Sequence, residues 1–393
     1  MDGADLQPAD LTGVAIPGRP GRFDLRVADG RVAMLPSQAD GGGLVLPLLT
    51  DAHVHLDKTF TAHRLGDRPA SLHAAIALCE ADRGQWTPAD IRFRATRALE
   101  RAWRHGTGAM RSHVDWTTAE VPPAWPVLCE LRQEWRGRVE LQLAALVPLD
   151  LFAEAGASIA ARVEADGGVL GAFVYRNRDI GPGLGRVFEL AVRHDLDLDF
   201  HVDEGLEPEA AGFDHVVALT ARHGLRGRVL AGHGCALSVR PEAEVREQLA
   251  AAAAAGVTLC VMPTTNAWLQ DALPGRTPRL RGIAPLIEAR AAGVDVVIAS
   301  DNCRDAFYPH GDYDLMDAFR AAVLAGHLDA DAWLDAITAL PARIGGGREF
   351  ADGGPADFVW YDADDADDLV ARPRAARRVW RGGRTLQEEE TAA

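Results

Sequence analysis

LPLLTDAHVH, residues 46–55, joins an apolar run to two histidines that stand one residue apart. A short apolar run of this kind is consistent with a strand buried inside a parallel sheet. Side chains alternate between the two faces of a strand, so His53 and His55 point the same way and can hold one ion between them. The stretch therefore predicts a buried strand with a metal-binding pair at its carboxyl end.

Seven further apolar segments follow, and helix-like amphipathic segments such as 87–106, 241–256 and 286–293 separate them. Parallel strands need crossover connections, and eight strand–helix repeats over roughly 250 residues are what a (β/α)8 barrel requires. We predict such a barrel over residues 46–345, with an open doubly wound sheet as the alternative. The predicted strands are 46–55, 108–116, 139–148, 168–175, 196–203, 227–234, 256–263 and 294–301.

The two ends of the chain have a different pattern of short β segments. In RFDLRVADGRVAML, residues 22–35, the tripeptide ADG is a turn between two β-like runs. FADGGPADFVWYDA and RRVWRGGRTL, near the carboxyl end, repeat this pattern. We expect residues 1–45 and 346–393 to combine into a small β-sandwich domain beside the barrel.

The composition narrows the class of partner. The net charge of −16 repels nucleic acid, and no apolar run approaches the 18 residues of a membrane span. The amino terminus lacks the features of a signal peptide, and the five scattered cysteines form no CxxC pair. We expect a cytoplasmic protein with reduced thiols that binds a small molecule and neither nucleic acid nor membrane.

Polar residues gather at the predicted strand ends, and the carboxyl ends of barrel strands are where active sites form. A single strand-end histidine is ordinarily a structural residue, whereas five of the 13 histidines on one rim indicate a metal site. Neutral imidazole and carboxylate are ligands for zinc or ferrous iron. We predict one divalent ion, Zn²⁺ or Fe²⁺, and the ligands we assign to it are His53, His55, His201 and Asp301.

Three residues at these ends have the chemistry for catalysis. A metal ion lowers the pKa of bound water, and Asp301 can accept the proton that this water loses. His233 is placed to orient the water. Glu204 can move a proton onto a ring nitrogen or a leaving amine, although a solvated acidic loop, DEGLEPEA, fits its sequence context equally well.

The motifs DAHVHLDKTF, MRSHVDW, FHVDE, LAGHGCALS and ASDNCRDAFYPHGDYDLM resemble the cytosine deaminase branch of the amidohydrolase superfamily. The resemblance runs from about residue 45 to 345 and implies a distorted (β/α)8 barrel flanked by a β-sandwich. It implies one iron or zinc ion on the four ligands above, with Glu204 as proton shuttle and His233 as activator of the water. The implied reaction is hydrolytic deamination, and a homo-oligomer is compatible with this branch.

The lysine content bears on the number of metal ions. Superfamily members with two metals bridge them through a carboxylated lysine at the end of strand four. The strand-four segment GVLGAFVYRNRD has no lysine, and Lys58, the single lysine of the chain, lies on another strand. One metal ion is therefore expected, which favours deamination. Lys58 can contact a substrate carbonyl, and a surface role is the alternative.

Three positions differ from the cytosine-reading pattern. Pro148 replaces a glutamine that reads the pyrimidine amide edge, Asn302 replaces a second aspartate, and Phe307 replaces a tryptophan. We expect substrate contacts from Lys58, His113, Asn302 and Phe307. Cytosine, substituted cytosines, pterins, triazines and creatinine-like amidines all stay open as substrates. Cleavage of an amide C–N bond and a catalytically silent ligand-binding barrel are the alternative functions.

Overall fold

A computed structural model describes residues 11–66, 69, 71–339 and 350–386 of the chain. The strands are β1 (Leu11–Ile16), β2 (Arg19–Ala28), β3 (Arg31–Ser37), β4 (Leu44–Pro47), β5 (Leu49–Val54), β6 (Thr107–Asp115), β7 (Glu140–Pro148), β8 (Val169–Val174), β9 (Leu198–Val202), β10 (Val229–His233), β11 (Thr258–Val261), β12 (Val296–Ile298), β13 (Phe358–Tyr361), β14 (Arg377–Arg381) and β15 (Arg384–Thr385). The α-helices are α1 (Leu72–Asp82), α2 (Pro88–Arg104), α3 (Ala124–Glu134), α4 (Gly156–Ala165), α5 (Ile180–Arg193), α6 (Gly212–His223), α7 (Glu242–Ala255), α8 (Pro263–Leu269), α9 (Leu286–Ala291), α10 (Leu315–Gly326), α11 (Ala330–Trp333) and α12 (Ala366–Ala371).

The strands β5 to β12 form one eight-stranded parallel sheet in sequential order, with helices in the crossovers. The sheet closes where β12 returns to β5, through a bridge between Val54 and Asp301 and a 2.9 Å hydrogen bond from the Asp301 N–H to the His53 carbonyl. The Asp51 carboxylate strengthens this seam by accepting from the Ser300 N–H and hydroxyl. The predicted barrel is confirmed, and the open doubly wound sheet is wrong.

The helix α2 illustrates how sequence sets the layers of the barrel. The Thr87 side chain accepts a hydrogen bond from the Asp90 N–H, and Pro88 occupies the first helical turn, where its missing N–H costs nothing. Its buried residues recur with helical spacing, so one face packs on the strands. Those residues are Ile91, Arg94, Ala95, Ala98, Leu99 and Ala102.

The interior of the barrel contains a charged pair below the strand ends. Arg111 in β6 donates a 2.7 Å hydrogen bond to Asp199 in β9, and both side chains are buried. Arg111 also donates to Gln142 of β7. Arg111 precedes His113 by two positions, and Asp199 precedes His201 by two. Each therefore lies on the same strand face as its histidine, one layer deeper in the barrel.

The terminal segments form a second sheet in the order β15-β14-β13-β4-β1-β2-β3, as the sequence predicts. The predicted ADG turn joins β2 to β3, with positive φ at Asp29 and Gly30, as a tight hairpin turn requires. β4 crosses the boundary predicted at residue 45, and the boundary predicted at residue 346 lies outside the described residues. The division into two domains therefore stays a prediction.

An ion pair fastens this sheet to the barrel. Arg377 of β14 makes two hydrogen bonds to the carboxylate of Asp314, one of them 3.0 Å long, and it donates to the His105 carbonyl at 2.9 Å. Asp314 also caps α10 by accepting from the Met316 N–H. Within the described ranges, no helix combines the length and the apolar character needed to cross a membrane.

Candidate metal and catalytic site

The four predicted metal ligands converge at the carboxyl ends of the barrel strands. Nε2 of His201 lies 3.1 Å from Nε2 of His53 and 3.2 Å from Nε2 of His55. Oδ1 of Asp301 lies 3.6 Å from Nε2 of His53 and 3.2 Å from Nε2 of His55. Four potential donor atoms, from strands far apart in sequence, therefore face one small volume.

The chemistry of this donor set fits a divalent cation. Burial is the largest cause that keeps the pKa of His53, His55 and His201 well below the ordinary value, and neighbouring positive charge adds to it. The rings are therefore neutral and can offer lone pairs. Among the described residues, neither carboxylate oxygen of Asp301 has a hydrogen-bond partner, although the side chain is buried. Neutral imidazoles beside an unsatisfied carboxylate are the ligands that zinc or iron takes.

Three non-glycine residues at the same strand ends have a strained backbone conformation. Asp203, His233 and Asp301 have φ values of 50°, 71° and 64°, in the left-handed region that non-glycine residues rarely adopt. They follow or end β9, β10 and β12. Strain of this kind persists where the surrounding structure over-determines it, commonly at functional sites.

The expectation that His113 contacts the substrate stays a prediction. Its ring lies 3.9 Å from the His53 ring between centroids, and its Nε2 is 3.1 Å from Oδ1 of Asp199. It is absent from the residues that line the cavity above the cluster. Ligand atoms of His53, His55, His113 and His201 all lie within 4.8 Å of one another, so His113 belongs to the histidine cluster although it does not line the cavity.

A cavity opens above the four converging side chains. Apolar side chains make up much of its wall, and the predicted contacts Lys58, Asn302 and Phe307 lie on it together with Pro148. Asn302 is tied to Asp305 by a 2.7 Å hydrogen bond. The remaining lining residues are His55, Leu72, Ile76, Cys79, Glu80, Arg83, Asp115, Thr117, Leu146, Phe173, His201, Glu204, His233 and Asp301.

Lys58 is buried on this wall, so the alternative of a surface role is wrong. Its ammonium donates a 2.6 Å hydrogen bond to Asp115 and stands 5.1 Å from the centre of the Phe307 ring. Burial alone lowers the pKa of Lys58, but Asp115 and Asp57 outweigh it and raise the pKa above the ordinary value. The cavity therefore contains a permanently charged donor.

Glu204 is buried beside the cluster, which rules out the solvated acidic loop. Its side chain is 5% exposed, and its Oε2 lies 3.7 Å from Nε2 of His233. Burial, followed by the charge of Asp301, raises the pKa of Glu204 to about 8. The carboxyl group is therefore mostly protonated at neutral pH and can donate a proton into the cavity.

Two residues of the segment that follows β11 escaped the sequence interpretation. Asn266 in α8 donates a 3.0 Å hydrogen bond to Nδ1 of His233, and Gln270 donates to the backbone carbonyl of Glu204. The signal was available in VMPTTNAWLQ, because Asn266 is polar and closely follows a strand end. It was missed because an amide has no metal or acid–base chemistry of its own.

Comparison with known proteins finds relatives of this chain. A profile described as "Amidohydrolase family" matches residues 152–387. The chain is 35% identical over 406 aligned residues to a pterin deaminase of Rhizobium rhizogenes, covering 98% of this chain and 93% of that protein. It is 24% identical to an N-isopropylammelide isopropyl amidohydrolase of Pseudomonas sp., covering 75% of this chain and 74% of that protein.

Solved structures share the fold. A 5-methylcytosine deaminase from Klebsiella pneumoniae, liganded with 5-fluorocytosine, superposes with a TM-score of 0.84 at 24% identity, covering 95% of this chain and 96% of the other. An N-isopropylammelide isopropylaminohydrolase from Burkholderia multivorans gives a TM-score of 0.78 at 24% identity, covering 95% and 97% of the two chains. At this level of identity, the likeness establishes the barrel and its terminal sheet.

Proposed function

Since this chain belongs to the amidohydrolase family, we propose that it hydrolyses the exocyclic amino group of a pterin and releases ammonia. It is a hydrolase of C–N bonds other than peptide bonds, and the deaminase class expected from the sequence agrees with its relatives. The observation that carries the proposed substrate is the 35% identity to a pterin deaminase over 98% of the chain.

We assign one divalent ion, zinc or iron, to His53, His55, His201 and Asp301. A metal ion in such a site supplies a Lewis acid that makes hydroxide available near neutral pH. Asp301, whose buried carboxylate faces the assigned imidazoles, is placed to take up the proton released by the attacking water. Its position at the seam of the barrel keeps that oxygen beside two of the imidazoles.

Glu204 is the proton donor in this proposal. Hydroxide addition to the carbon that bears the amino group pushes an electron pair onto the adjacent ring nitrogen, which needs a proton. Glu204 is protonated at neutral pH, buried, and on the cavity wall, so it can supply that proton. The resulting carboxylate can then accept the proton of the added hydroxyl group as the carbonyl forms, while Asp301 passes the first water proton to the departing amine, which leaves as ammonia.

Substrate recognition is proposed for Lys58 and Phe307. A pterin carries a ring carbonyl beside its amidine-like carbon, and a charged ammonium is a strong donor to such an oxygen. Phe307 provides an apolar ring face next to Lys58, and Phe173 lies on the wall as well. Pro148 also lines the cavity and has no side-chain donor or acceptor, so the glutamine contact of the cytosine pattern is impossible here.

The cellular compartment follows from the thiols in this proposal. All five cysteines are free, and four of them, Cys79, Cys235, Cys260 and Cys303, are buried in the barrel region. Free thiols of this number are typical of a reducing compartment. We therefore assign the enzyme to the cytoplasm, as a protein that acts on a small soluble heterocycle.

A substrate screen tests the proposal. Metal-reconstituted protein is incubated with pterin, cytosine, 5-methylcytosine, ammelide, creatinine and N-isopropylammelide, and ammonia and isopropylamine are measured separately. We expect ammonia release with kcat/KM highest for pterin. Highest activity on a monocyclic compound would overturn the assignment of a pterin as substrate. Release of isopropylamine alone would favour amide-type C–N cleavage. The absence of any turnover would favour a catalytically silent, ligand-binding barrel.

A further inference from the structure

The orientation of the His233 ring is set by a residue outside the cavity. Asn266 is fully buried in α8, and its Nδ2 donates a 3.0 Å hydrogen bond to Nδ1 of His233. A neutral imidazole has one N–H and one lone pair. With the amide in this orientation, Nδ1 accepts through its lone pair and the ring proton resides on Nε2.

The other ring nitrogen faces the reaction space. Nε2 of His233 has no hydrogen-bond partner within the described part of the chain, and His233 lines the cavity. The distance from Nε2 of His233 to Oε2 of Glu204 is 3.7 Å, which is beyond hydrogen-bond distance. The Nε2–H is therefore a buried donor, unpaired within the described residues, on a side chain that lines the cavity.

Two roles compete for this histidine. Ligand atoms of His53, His233 and Asp301 all lie within 4.8 Å of one another, so spacing alone would permit His233 to bind the metal. A metal-binding histidine ordinarily donates its second N–H to a carboxylate, carbonyl or water. Asn266 presents a donor at that position, which is the reverse arrangement.

We propose that Asn266 is a positioning residue that holds the His233 proton on Nε2, so that His233 acts as a hydrogen-bond donor to the substrate and is not a metal ligand. The consequence for turnover rests on the deaminase function proposed above. In that reaction, the Nε2–H donates to the oxygen that adds to the ring carbon and orients it, while the electron pair passes to the ring nitrogen that Glu204 protonates. No proton leaves His233 in this step.

The same short helix supports the acid. Gln270, directly after α8, donates to the backbone carbonyl of Glu204, so the segment after β11 contacts both groups that face the heterocycle. Asn266 and Gln270 stand four residues apart and reach two different strand ends, β10 and β9. α8 and the residue directly after it therefore contact both His233, the proposed hydrogen-bond donor, and the backbone of Glu204, the proposed acid.

The tautomer can be measured without any substrate. Zinc-loaded protein labelled with ¹⁵N-histidine is studied by NMR, and the His233 signals are identified by their loss in His233→Gln. We expect wild-type His233 to have a protonated Nε2 and an unprotonated Nδ1. A protonated Nδ1 with a metal-bound Nε2 would mean that His233 is a ligand, and it would overturn the proposal.

Variants then connect the tautomer to turnover. Asn266→Asp replaces the donor with an acceptor, so Nδ1 should become protonated and kcat should fall about 100-fold, with KM and zinc content nearly unchanged. Asn177→Asp, the same change in a loop outside the cavity, is the control and should keep wild-type kcat. A reversed tautomer with unchanged kcat would refute the role of His233 as donor.

Two further results keep the test decisive. If Asn266→Asp does not fold, Asn266→Ala should give a mixture of both tautomers, and a single Nε2–H tautomer in that variant would overturn the role of Asn266. If wild-type protein deaminates no heterocycle, the proposed function fails, while the wild-type spectrum still decides the placement of the proton.

Discussion

Nζ of Lys58 donates a 2.6 Å hydrogen bond to Oδ1 of Asp115, and both side chains line the cavity. Asp115 also accepts from Arg83 at 3.3 Å, so one carboxylate holds two cations. An ammonium group has three N–H donors, and the bond to Asp115 uses one of them. The wall of the cavity therefore offers a fixed cation beside an apolar ring.

Replacing Lys58 should weaken recognition of a ring carbonyl. We expect Lys58→Met to lower kcat/KM for the preferred heterocycle by roughly 10- to 100-fold, the range of a lost hydrogen bond to a charged donor. Steady-state kinetics measure the effect. Arg246→Met removes an exposed cation of α7 as a control and should leave kcat/KM unchanged. An equal loss in both variants would indicate a general charge effect.

Replacing Glu204 should remove proton transfer and leave the metal in place. Glu204→Gln keeps the size of the side chain but cannot exchange a proton, so kcat should fall at least ~100-fold. Glu209→Gln, an exposed residue of the same loop, is the matched control. Rates are measured beside metal content. Wild-type turnover in Glu204→Gln would remove this residue from the mechanism.

Metal content should depend on the assigned ligands and not on exposed histidines. We expect about one equivalent of zinc or iron per chain, which falls to a small fraction in His55→Ala and persists in His63→Ala, an exposed histidine. Stripping the metal with a chelator should abolish activity and lower the Tm, since an ion at 100 times its Kd contributes about 2.7 kcal/mol. Two equivalents by elemental analysis would contradict the single-ion assignment.

The ion pair between the terminal sheet and α10 should make stability depend on pH. Burial would raise the pKa of Asp314, but the hydrogen bonds and charge of Arg377 outweigh it and lower the pKa. A lowered folded pKa stabilises the protein above the unfolded value of about 3.9, and the contribution is lost as the pH falls through the folded pKa.

Asp314→Asn should therefore lower the free energy of unfolding by about 3 kcal/mol at pH 7, with Arg377 left without its charged partner. The difference from wild type should shrink at pH 3 and below. Urea unfolding at several pH values measures it, with Asp367→Asn, an exposed residue of α12, as control. A difference that is independent of pH would contradict this account.

The sequence predicted the barrel and the cluster because both depend on local rules. Alternation within β5 places His53 and His55 on one face, and parallel strands bring their carboxyl ends together. His113 obeys the same alternation, yet it packs against His53 and does not line the cavity. The depth of a side chain in a barrel depends on strand register and on the size of its neighbours, which one strand does not encode.

Sequence patterns could not predict the side-chain contacts between elements that are distant in the chain. Asp115 was visible as a strand-end residue, but nothing in the spacing links it to Lys58 or to Arg83. Asn266 reaches His233 only because α8 turns back over the end of β10. Such partners are chosen by the three-dimensional fold, and they decide whether a charged or polar group is held in place.

The seam between the first and last barrel strands has a consequence for biogenesis. Asp51 and Ser300 meet there although they are 249 positions apart, and the backbone of Asp301 bonds to that of His53 beside them. A nascent chain still leaving the ribosome can present the histidine pair but lacks the aspartate. We therefore expect the metal ion to bind tightly only late in synthesis, after β12 has joined the barrel. Truncated chains that end before β12 should contain no tightly bound metal.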